Sequence, residues 1–270
     1  PRLHYLEWNP TAACTLILLH GNSANAWWWR PMAEVLAAAD LRILAIDLRG
    51  HGDSEWVRPP DYSPSAYAGD LARFIVDAGG TGAIAAGHSM GGIAVLAFAS
   101  RYPRLVRGVA AIDIAITSGE RRNRYLRRLR TIPTVCYPDL ATAMARFRLM
   151  PNEGSIAPEV ISEIAKSSIQ RTAAGTYTMK FDRESFSGSD GIDVAATIAA
   201  VRVPTLLVRA ERSRIMSAEA ALNAKRSNAL IELVSIPHAH HHLPLESPHA
   251  LANVLEQFAA AHIWSFTGAD

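Results

Sequence analysis

The stretch Ala83-Ile84-Ala85-Ala86-Gly87-His88-Ser89-Met90-Gly91-Gly92 joins a short apolar run to the start of a helical pattern. An apolar run of this length predicts a buried strand, and the apolar spacing over 90–102 predicts a helix. A serine on a tight strand-to-helix turn needs neighbours without side chains, which Gly87 and Gly91 provide. The turn therefore predicts a reactive hydroxyl on Ser89 above a helix N-terminus, the alternative being an ordinary turn serine.

Short apolar runs alternate with helical patterns along most of the chain. The runs are 3–8, 15–19, 42–46, 83–86, 108–112, 204–208 and 230–235, and the helical patterns are 28–39, 65–78, 90–102 and 248–261. Runs made almost entirely of Val, Ile, Leu and Ala are typical of parallel strands covered by helices on both faces. The alternation predicts an α/β fold with a mostly parallel, doubly wound sheet.

Residues 117–195 interrupt this alternation. They contain an arginine-rich helical pattern at 120–130 and amphipathic segments at 140–149 and 158–170, with no clear core strand. We expect an inserted helical cap over 117–195 and a core domain built from 1–116 and 196–270. The cap would cover the carboxyl edge of the sheet, where open α/β sheets bind their ligands.

The composition is that of an ordinary globular protein. The chain has 270 residues, 49% of them hydrophobic, and a net charge of +2, which gives no support for nucleic acid as a partner. Cys14 and Cys136 form no paired motif, and neither a leader nor a membrane-length apolar run is present. These features predict a cytoplasmic protein without a membrane partner, and they leave its oligomeric state open.

Three further stretches accompany the serine turn. They are Leu18-Leu19-His20-Gly21-Asn22, Asp47-Leu48-Arg49-Gly50-His51-Gly52-Asp53-Ser54, and Ile236-Pro237-His238-Ala239-His240-His241-His242-Leu243-Pro244-Leu245-Glu246. Together with the serine turn, and in this order, they resemble the α/β-hydrolase family over nearly the whole chain. The resemblance implies the α/β-hydrolase fold, an oxyanion loop in the first stretch and a catalytic histidine in the third.

A serine hydroxyl needs a base to take its proton, and the third stretch offers four histidines. The register of the family pattern selects His241 and places His238 and His240 where the family usually has glycine. The alternative is a zinc cluster of His238, His240, His241 and His242, which lacks matching cysteine or carboxylate spacing elsewhere. His20 and His88 are expected to support the loops on which they lie.

The resemblance also implies an oxyanion hole made of two backbone amides. One is that of Met90, directly after the serine, and the other is that of Asn22 or Ser23. The alternative for Gly21-Asn22 is a simple turn.

The acid that should orient the histidine is missing from its usual place in the family. After the run 204–208, that position holds Ser213 or Arg214. Asp113, at the end of the run 108–112, and Glu211 are the substitutes. We favour Asp113, with Glu211 and the absence of any acid as alternatives.

These residues predict a serine hydrolase that cleaves a small to medium carboxylic ester or lactone through an acyl-enzyme on Ser89. Neither a metal nor an organic cofactor is implied. Dehalogenation is disfavoured because it needs a carboxylate nucleophile at this position.

One alternative is an acyltransferase or thioesterase acting on a carrier-bound acyl chain, suggested by the arginines of 120–130. Another is a binding protein with a weakened triad.

Overall fold

The computed structural model describes residues 1–36, 39–117, 119–187 and 192–263. Its strands are β1 (Tyr5–Trp8), β2 (Cys14–Leu19), β3 (Leu41–Ile46), β4 (Ala83–His88), β5 (Val106–Ile112), β6 (Ile169–Arg171), β7 (Tyr177–Met179), β8 (Thr205–Ala210) and β9 (Ile231–Ile236). Its α-helices are α1 (Arg30–Leu36), α2 (Pro64–Asp77), α3 (Met90–Arg101), α4 (Glu120–Thr131), α5 (Leu140–Arg146), α6 (Pro158–Ser167), α7 (Val194–Ala200), α8 (Ala218–Ser227), α9 (Leu243–Glu246) and α10 (Pro248–Ile263).

Seven of these strands form one sheet, in the order β1-β3-β2-β4-β5-β8-β9. β1 is antiparallel to β3, whereas every other neighbouring pair in this sheet is parallel. The mostly parallel, doubly wound sheet predicted from the sequence is thus confirmed. The chain passes from β2 to β3 on one side and then to β4 on the other. The carboxyl ends of β2 and β4 therefore flank the point where the strand order reverses, which is where such sheets bind ligands.

Both faces of the sheet are buried, which explains the uninterrupted apolar runs. In β2, Leu16 and Leu18 pack into the core beneath α1 and α10, whereas Ile17 and Leu19 pack into the core beneath α2 and α3. All six residues of β2 are buried. Because burying each such side chain contributes roughly 1.5–3 kcal/mol, the central strands provide a rigid base for the loops at their ends.

The segment between β5 and α7 contains α4, α5 and α6, as the sequence predicts, and a hairpin of β6 and β7. The predicted helical segment 158–170 is too long: α6 ends at Ser167, and Ile169 already pairs with Met179. Gly175, with a φ of 84°, lies in the turn of this hairpin, and such a φ favours glycine. The division into a core and a cap at residues 117–195 stays a prediction.

No helix within the described ranges is both long and apolar enough to cross a membrane.

The serine turn packs tightly against β2, and this contact predicts a measurable cost of substitution. An added Cβ at Gly91 would lie 2.4 Å from the carbonyl oxygen of Leu19 and 2.5 Å from that of His20. We expect Gly91→Ala to lower the free energy of unfolding, measured in urea, by about 3 kcal/mol, since backbone must move to relieve the clash.

Gly69→Ala is the matched control: its Cβ would meet nothing within 4 Å. Because Gly69 lies inside α2, that change should stabilise the protein by about 0.5–1 kcal/mol. Equal stability of Gly91→Ala and the wild type would contradict the observed packing.

Candidate active site

Ser89 lies between β4 and α3 in a strained backbone conformation, with φ 53° and ψ −115°. A positive φ is uncommon for a residue with a side chain and is tolerated where the surroundings hold it in place. Here the amide of Ser89 donates to the carbonyl oxygen of Ile112 at 2.9 Å. The turn lifts the Ser89 hydroxyl above the carboxyl ends of the central strands.

The structure brings Ser89, His241 and Asp113 together, although they lie on three different loops. His241 Nε2 is 3.1 Å from Ser89 Oγ, and His241 Nδ1 is 2.7 Å from Asp113 Oδ2. An ionised carboxylate can only accept hydrogen bonds, so Nδ1 carries the proton and Nε2 presents its lone pair to the serine hydroxyl. This arrangement can take a proton from the hydroxyl while the carboxylate stabilises the resulting imidazolium.

Asp113 follows β5 and is completely buried. Besides His241, its carboxylate accepts from the amide of Ala210 at 3.2 Å and from the hydroxyl of Ser213 at 2.5 Å. Burial raises the pKa of Asp113 to about 6, and the hydrogen bond from Ser213 works against that rise. The carboxylate is therefore ionised at neutral pH.

The loop after β8 contributes a hydroxyl where the family usually has its acid. Ser213, one of the two residues that align with that acid, donates to Asp113 instead. Glu211, the other predicted substitute, accepts from the amide of His238 at 2.7 Å and lies 3.7 Å from its Nδ1. Asp113 is therefore the carboxylate in contact with His241, whereas Glu211 contacts His238. Sequence reasoning missed the contribution of Ser213; a hydroxyl at the expected acid position was the available signal.

His88 and His20 support the loops of the site. His88 Nε2 donates to the carbonyl oxygen of His241 at 2.7 Å, and the two rings lie 4.6 Å apart. Burial holds the pKa of His88 well below its ordinary value, so this ring is neutral. His20 Nε2 accepts from the amide of Leu48 at 3.0 Å, and its Nδ1 donates to the carbonyl oxygen of Gly21 at 2.7 Å. Both rings thus fix backbone next to Ser89.

Two backbone amides beside Ser89 are available to a ligand. Met90 is the first residue of α3, so its amide has no partner within the helix. An added Cβ at Gly21 would lie 3.2 Å from Ser89 Cβ, which shows how closely the loop carrying Asn22 approaches the serine. Within the described ranges, neither the Met90 amide nor the Asn22 amide donates a hydrogen bond. The side-chain amide of Asn22 is already engaged, because its Nδ2 donates to the carbonyl oxygen of Ser185 at 3.2 Å.

A cavity of about 510 Å³ opens above Ser89 and His241. Its wall is mostly apolar and includes Leu129 of α4 and Phe186. Of the three consecutive tryptophans, Trp28 lines this cavity, Trp29 is fully buried in the core, and Trp27 is 36% exposed. A cavity of this size accommodates a small to medium organic molecule.

The four histidines of the loop before α9 do not converge on a common point. Within the described ranges they form no group with ligand atoms close enough for one metal ion. His240 Nδ1 lies 2.8 Å from Glu246 Oε1, and His242 Nε2 donates to the carbonyl oxygen of Pro151 at 2.8 Å. These histidines therefore do not have the geometry of a zinc site, and the zinc alternative is wrong.

Elsewhere in the described part of the chain, His4, Asp47 and Asp53 place possible metal-ligand atoms within 4.8 Å of one another. Lys180 Nζ lies 2.7 Å and 2.9 Å from the two carboxylate oxygens of Asp53, and His4 Nδ1 lies 2.7 Å from Asp47 Oδ2. These oxygens already have partners within the protein.

The pKa of Asp113 predicts how the activity depends on pH. Below pH 6 this carboxyl becomes protonated, and a neutral acid cannot offset the charge of an imidazolium at His241. We expect kcat/KM to be constant above about pH 7 and to fall as the pH drops through about 6. The check is a pH profile of ester hydrolysis from pH 5 to 8.

Ser213→Ala provides the control for this profile. The hydrogen bond from Ser213 lowers the pKa of Asp113, so its removal should move the acidic limb to higher pH. A profile that stays flat from pH 5 to 8, or a limb that does not move in Ser213→Ala, would contradict the role assigned to Asp113.

Comparison with known proteins agrees with the fold. The model of the Alpha/beta hydrolase family matches residues 16–254. The chain is 25% identical over 265 residues to 2-(acetamidomethylene)succinate hydrolase from Mesorhizobium japonicum, covering 91% of this chain and 88% of that protein. It is 30% identical over 116 residues to an esterase from Mycobacterium tuberculosis, covering 43% of this chain and 38% of that protein.

The structural comparison covers almost the whole chain. A solved structure of E-2-(acetamidomethylene)succinate hydrolase superposes with a TM-score of 0.80 at 24% identity, over 95% of this chain and 99% of that one. At this level of identity the superposition establishes a shared fold. The family match, which spans most of the sequence, goes further: the chain belongs to the Alpha/beta hydrolase family.

Proposed function

We propose that this protein is a serine hydrolase that cleaves a small to medium carboxylic ester or lactone through an acyl-enzyme on Ser89. The observation that carries the proposal is the chain of contacts from Ser89 Oγ to His241 Nε2, at 3.1 Å, and from His241 Nδ1 to Asp113 Oδ2, at 2.7 Å. Nucleophile, base and acid thus have the geometry that proton transfer requires.

The first half-reaction begins when Ser89 Oγ attacks the acyl carbon and His241 Nε2 takes the hydroxyl proton. The Asp113 carboxylate stabilises the imidazolium through Nδ1–H. Negative charge that develops on the acyl oxygen is held by the amides of Asn22 and Met90, with the N-terminus of α3 adding positive potential. When the tetrahedral intermediate collapses, the ester C–O bond breaks and His241 returns the proton to the leaving alkoxide.

The second half-reaction repeats these steps with water. His241 takes a proton from a water molecule, whose oxygen attacks the acyl carbon of the acyl-enzyme. The bond between Ser89 Oγ and the acyl carbon then breaks, and Oγ regains the proton. Each residue thus returns to its starting state. An ester gives a carboxylic acid and an alcohol, and a lactone gives a single hydroxy acid.

The size and wall of the cavity support an organic substrate of moderate size. The relative from Mesorhizobium japonicum is named for a small-molecule substrate, which fits this proposal. We also propose that residues 117–195 form a cap that closes the cavity, since Leu126 and Leu129 of α4 line it from above Ser89. The proposal that the protein is a serine hydrolase is tested by measuring turnover of p-nitrophenyl acetate and of a γ-lactone by the purified chain. Failure to hydrolyse any activated ester at neutral pH would contradict the proposal.

Acyl transfer is the second candidate, and one observation favours it. Tyr125, Leu126 and Leu129 place the arginine-rich helix α4 at the cavity, and Arg124 and Arg128 on that helix are exposed. Such a surface suits an anionic carrier of an acyl chain. Adding an alcohol as the acyl acceptor to an assay with an ester or acyl thioester donor separates the candidates: product ester formed faster than free acid would favour transfer.

A further inference from the structure

We propose that the cavity above Ser89 takes a substrate whose acyl part bears a carboxylate, and that the guanidinium of Arg148 holds this carboxylate. The inference rests on the proposed function, because it concerns the same site. It names the chemical class of the substrate and a residue that determines specificity.

The charge of the cavity wall points to an anionic ligand. Among the described residues that line the cavity, Arg148 is the only one with a basic side chain other than histidine. None of them is an aspartate or a glutamate. Most of the remaining wall is apolar, with Trp28, Leu149 and Phe186 among its residues. A single fixed cation in an apolar cavity attracts an anionic group and repels an ammonium group.

Arg148 is held in place by backbone instead of by an acid. Its Nη1 donates to the carbonyl oxygens of Ala145, at 2.8 Å, and Phe147, at 2.6 Å, at the C-terminal end of α5. Within the described ranges, its Nε and Nη2 donate no hydrogen bond, and no carboxylate lies within ion-pair distance. One edge of the guanidinium is therefore fixed, and donors remain for a ligand.

Arginines of α4 differ from Arg148 in this respect. Arg127 Nη2 pairs with Glu120 at 2.8 Å, and Arg130 Nη2 pairs with Glu184 at 2.6 Å. Residues 117–195 contain twelve Lys and Arg against nine Asp and Glu, so this part of the sequence, to which the cavity-lining helix α4 belongs, has a net positive charge. This field favours the approach of an anion, and Arg148 provides the contact at the cavity itself.

The guanidinium fork matches the planar geometry of a carboxylate and can donate two parallel hydrogen bonds to it. Arg148 is exposed at the cavity wall, so water weakens this pair until the ligand covers it. We therefore expect the low end of the range for charge-assisted hydrogen bonds, about a tenfold effect on kcat/KM. The carboxylate takes no part in the reaction: only the ester bond at Ser89 breaks, and water supplies the hydroxyl of the new acid.

The test compares two esters with the same number of acyl carbons. Mono-p-nitrophenyl glutarate carries a terminal carboxylate, and p-nitrophenyl valerate carries a methyl group instead. For the wild type, we expect kcat/KM to be about tenfold higher for the glutarate ester. Arg148→Gln should remove this preference by lowering kcat/KM for the glutarate ester about tenfold, with the valerate ester changed less than about twofold.

Arg146→Gln is the matched control, because Arg146 is an exposed arginine two residues before Arg148, at the end of α5, that does not line the cavity. It should keep the wild-type preference. Repeating the assay at high salt separates the field of the exposed charges from the direct contact at Arg148. Salt screens that field more than it screens a contact that the ligand covers. Equal thermal melting of the variants confirms that each one folds.

A binding measurement keeps the inference independent of turnover. Calorimetry on Ser89→Ala with monomethyl glutarate and with methyl valerate compares affinities without hydrolysis. Tighter binding of the glutarate, lost on adding Arg148→Gln, supports the inference even if no ester is turned over, which would contradict only the proposed function. Equal binding of both ligands, or a preference that survives Arg148→Gln, would overturn the inference whatever the activity on either ester.

Discussion

Ser89→Ala is expected to lower kcat for p-nitrophenyl acetate by about 10⁶-fold, leaving only the residual catalysis that binding and the oxyanion amides provide. The hydroxyl is the group that forms the covalent bond to the acyl carbon, so no neighbouring side chain can replace it. Substrate affinity should change little, because the cavity and the amides of Asn22 and Met90 remain. The measurement is a steady-state assay at neutral pH, together with binding of a non-hydrolysable ester analogue.

Ser100→Ala provides a control of the same chemical type, since Ser100 is exposed near the C-terminal end of α3. It should retain wild-type activity. If Ser89→Ala kept a substantial fraction of the activity, the nucleophile would lie elsewhere. If the wild type bound ester analogues but never hydrolysed them, the chain would be a binding protein with a weakened triad.

Asp113→Asn is expected to lower kcat by about 10³ to 10⁴-fold with little change in KM. An asparagine amide can donate to His241 Nδ1, which would favour the tautomer with its proton on Nε2. That nitrogen would then be unable to accept the proton of Ser89. The variant would also lose the negative charge that stabilises the imidazolium.

The stability of Asp113→Asn distinguishes a catalytic defect from misfolding. The pKa of Asp113 is raised from 3.8 to about 6 in the folded chain, so ionisation of this group opposes folding. That opposition is absent below about pH 3.8, grows as the pH rises from there to about 6, and stays constant at higher pH. At neutral pH, where the asparagine removes a buried charge, the melting temperature is therefore expected not to fall.

Glu211→Gln is the control for the choice of acid, because Glu211 contacts His238 and not His241. It should keep nearly full activity. A large loss of kcat in Glu211→Gln together with a mild effect of Asp113→Asn would reverse the assignment. Mild effects in both variants would mean that the serine and histidine work without an acid.

The sheet and the serine turn were predictable because their causes are local. A strand buried on both faces must be largely apolar, and residues 83–87 of β4 are. The turn at Ser89 needs glycine where backbone meets backbone, and an added Cβ at Gly91 would lie 2.4 Å from Leu19 O. Patterns of this kind are visible in the residues themselves, without knowledge of their neighbours in space.

The sequence alone could not show which carboxylate contacts His241, because the answer depends on three segments that lie far apart in the chain. Asp113 ends one strand, Ser213 follows another, and His241 lies in a third loop. The distance from each candidate carboxylate to His241 depends on how neighbouring parallel strands place their carboxyl ends. Only the folded sheet shows that Asp113 reaches His241 and that Ser213 reaches Asp113.

The segment between β5 and α7 was the least predictable part of the chain. The hairpin of β6 and β7 has three residues in each strand, too few for a clear alternation. Arg148 gave no signal of its own, because an arginine after a helix is usually solvated. Its significance comes from the cavity beside it, which forms only when residues from distant segments meet.

The central claim, that Ser89 is a nucleophile activated by His241, is tested most directly by a fluorophosphonate probe and peptide mass spectrometry. Such probes form a stable bond only with an activated serine. The account predicts a single adduct on the peptide that contains Ser89, formed rapidly in the wild type and at least about a hundredfold more slowly in His241→Ala. An adduct on another residue, or one that forms on Ser89 equally fast without His241, would contradict the account.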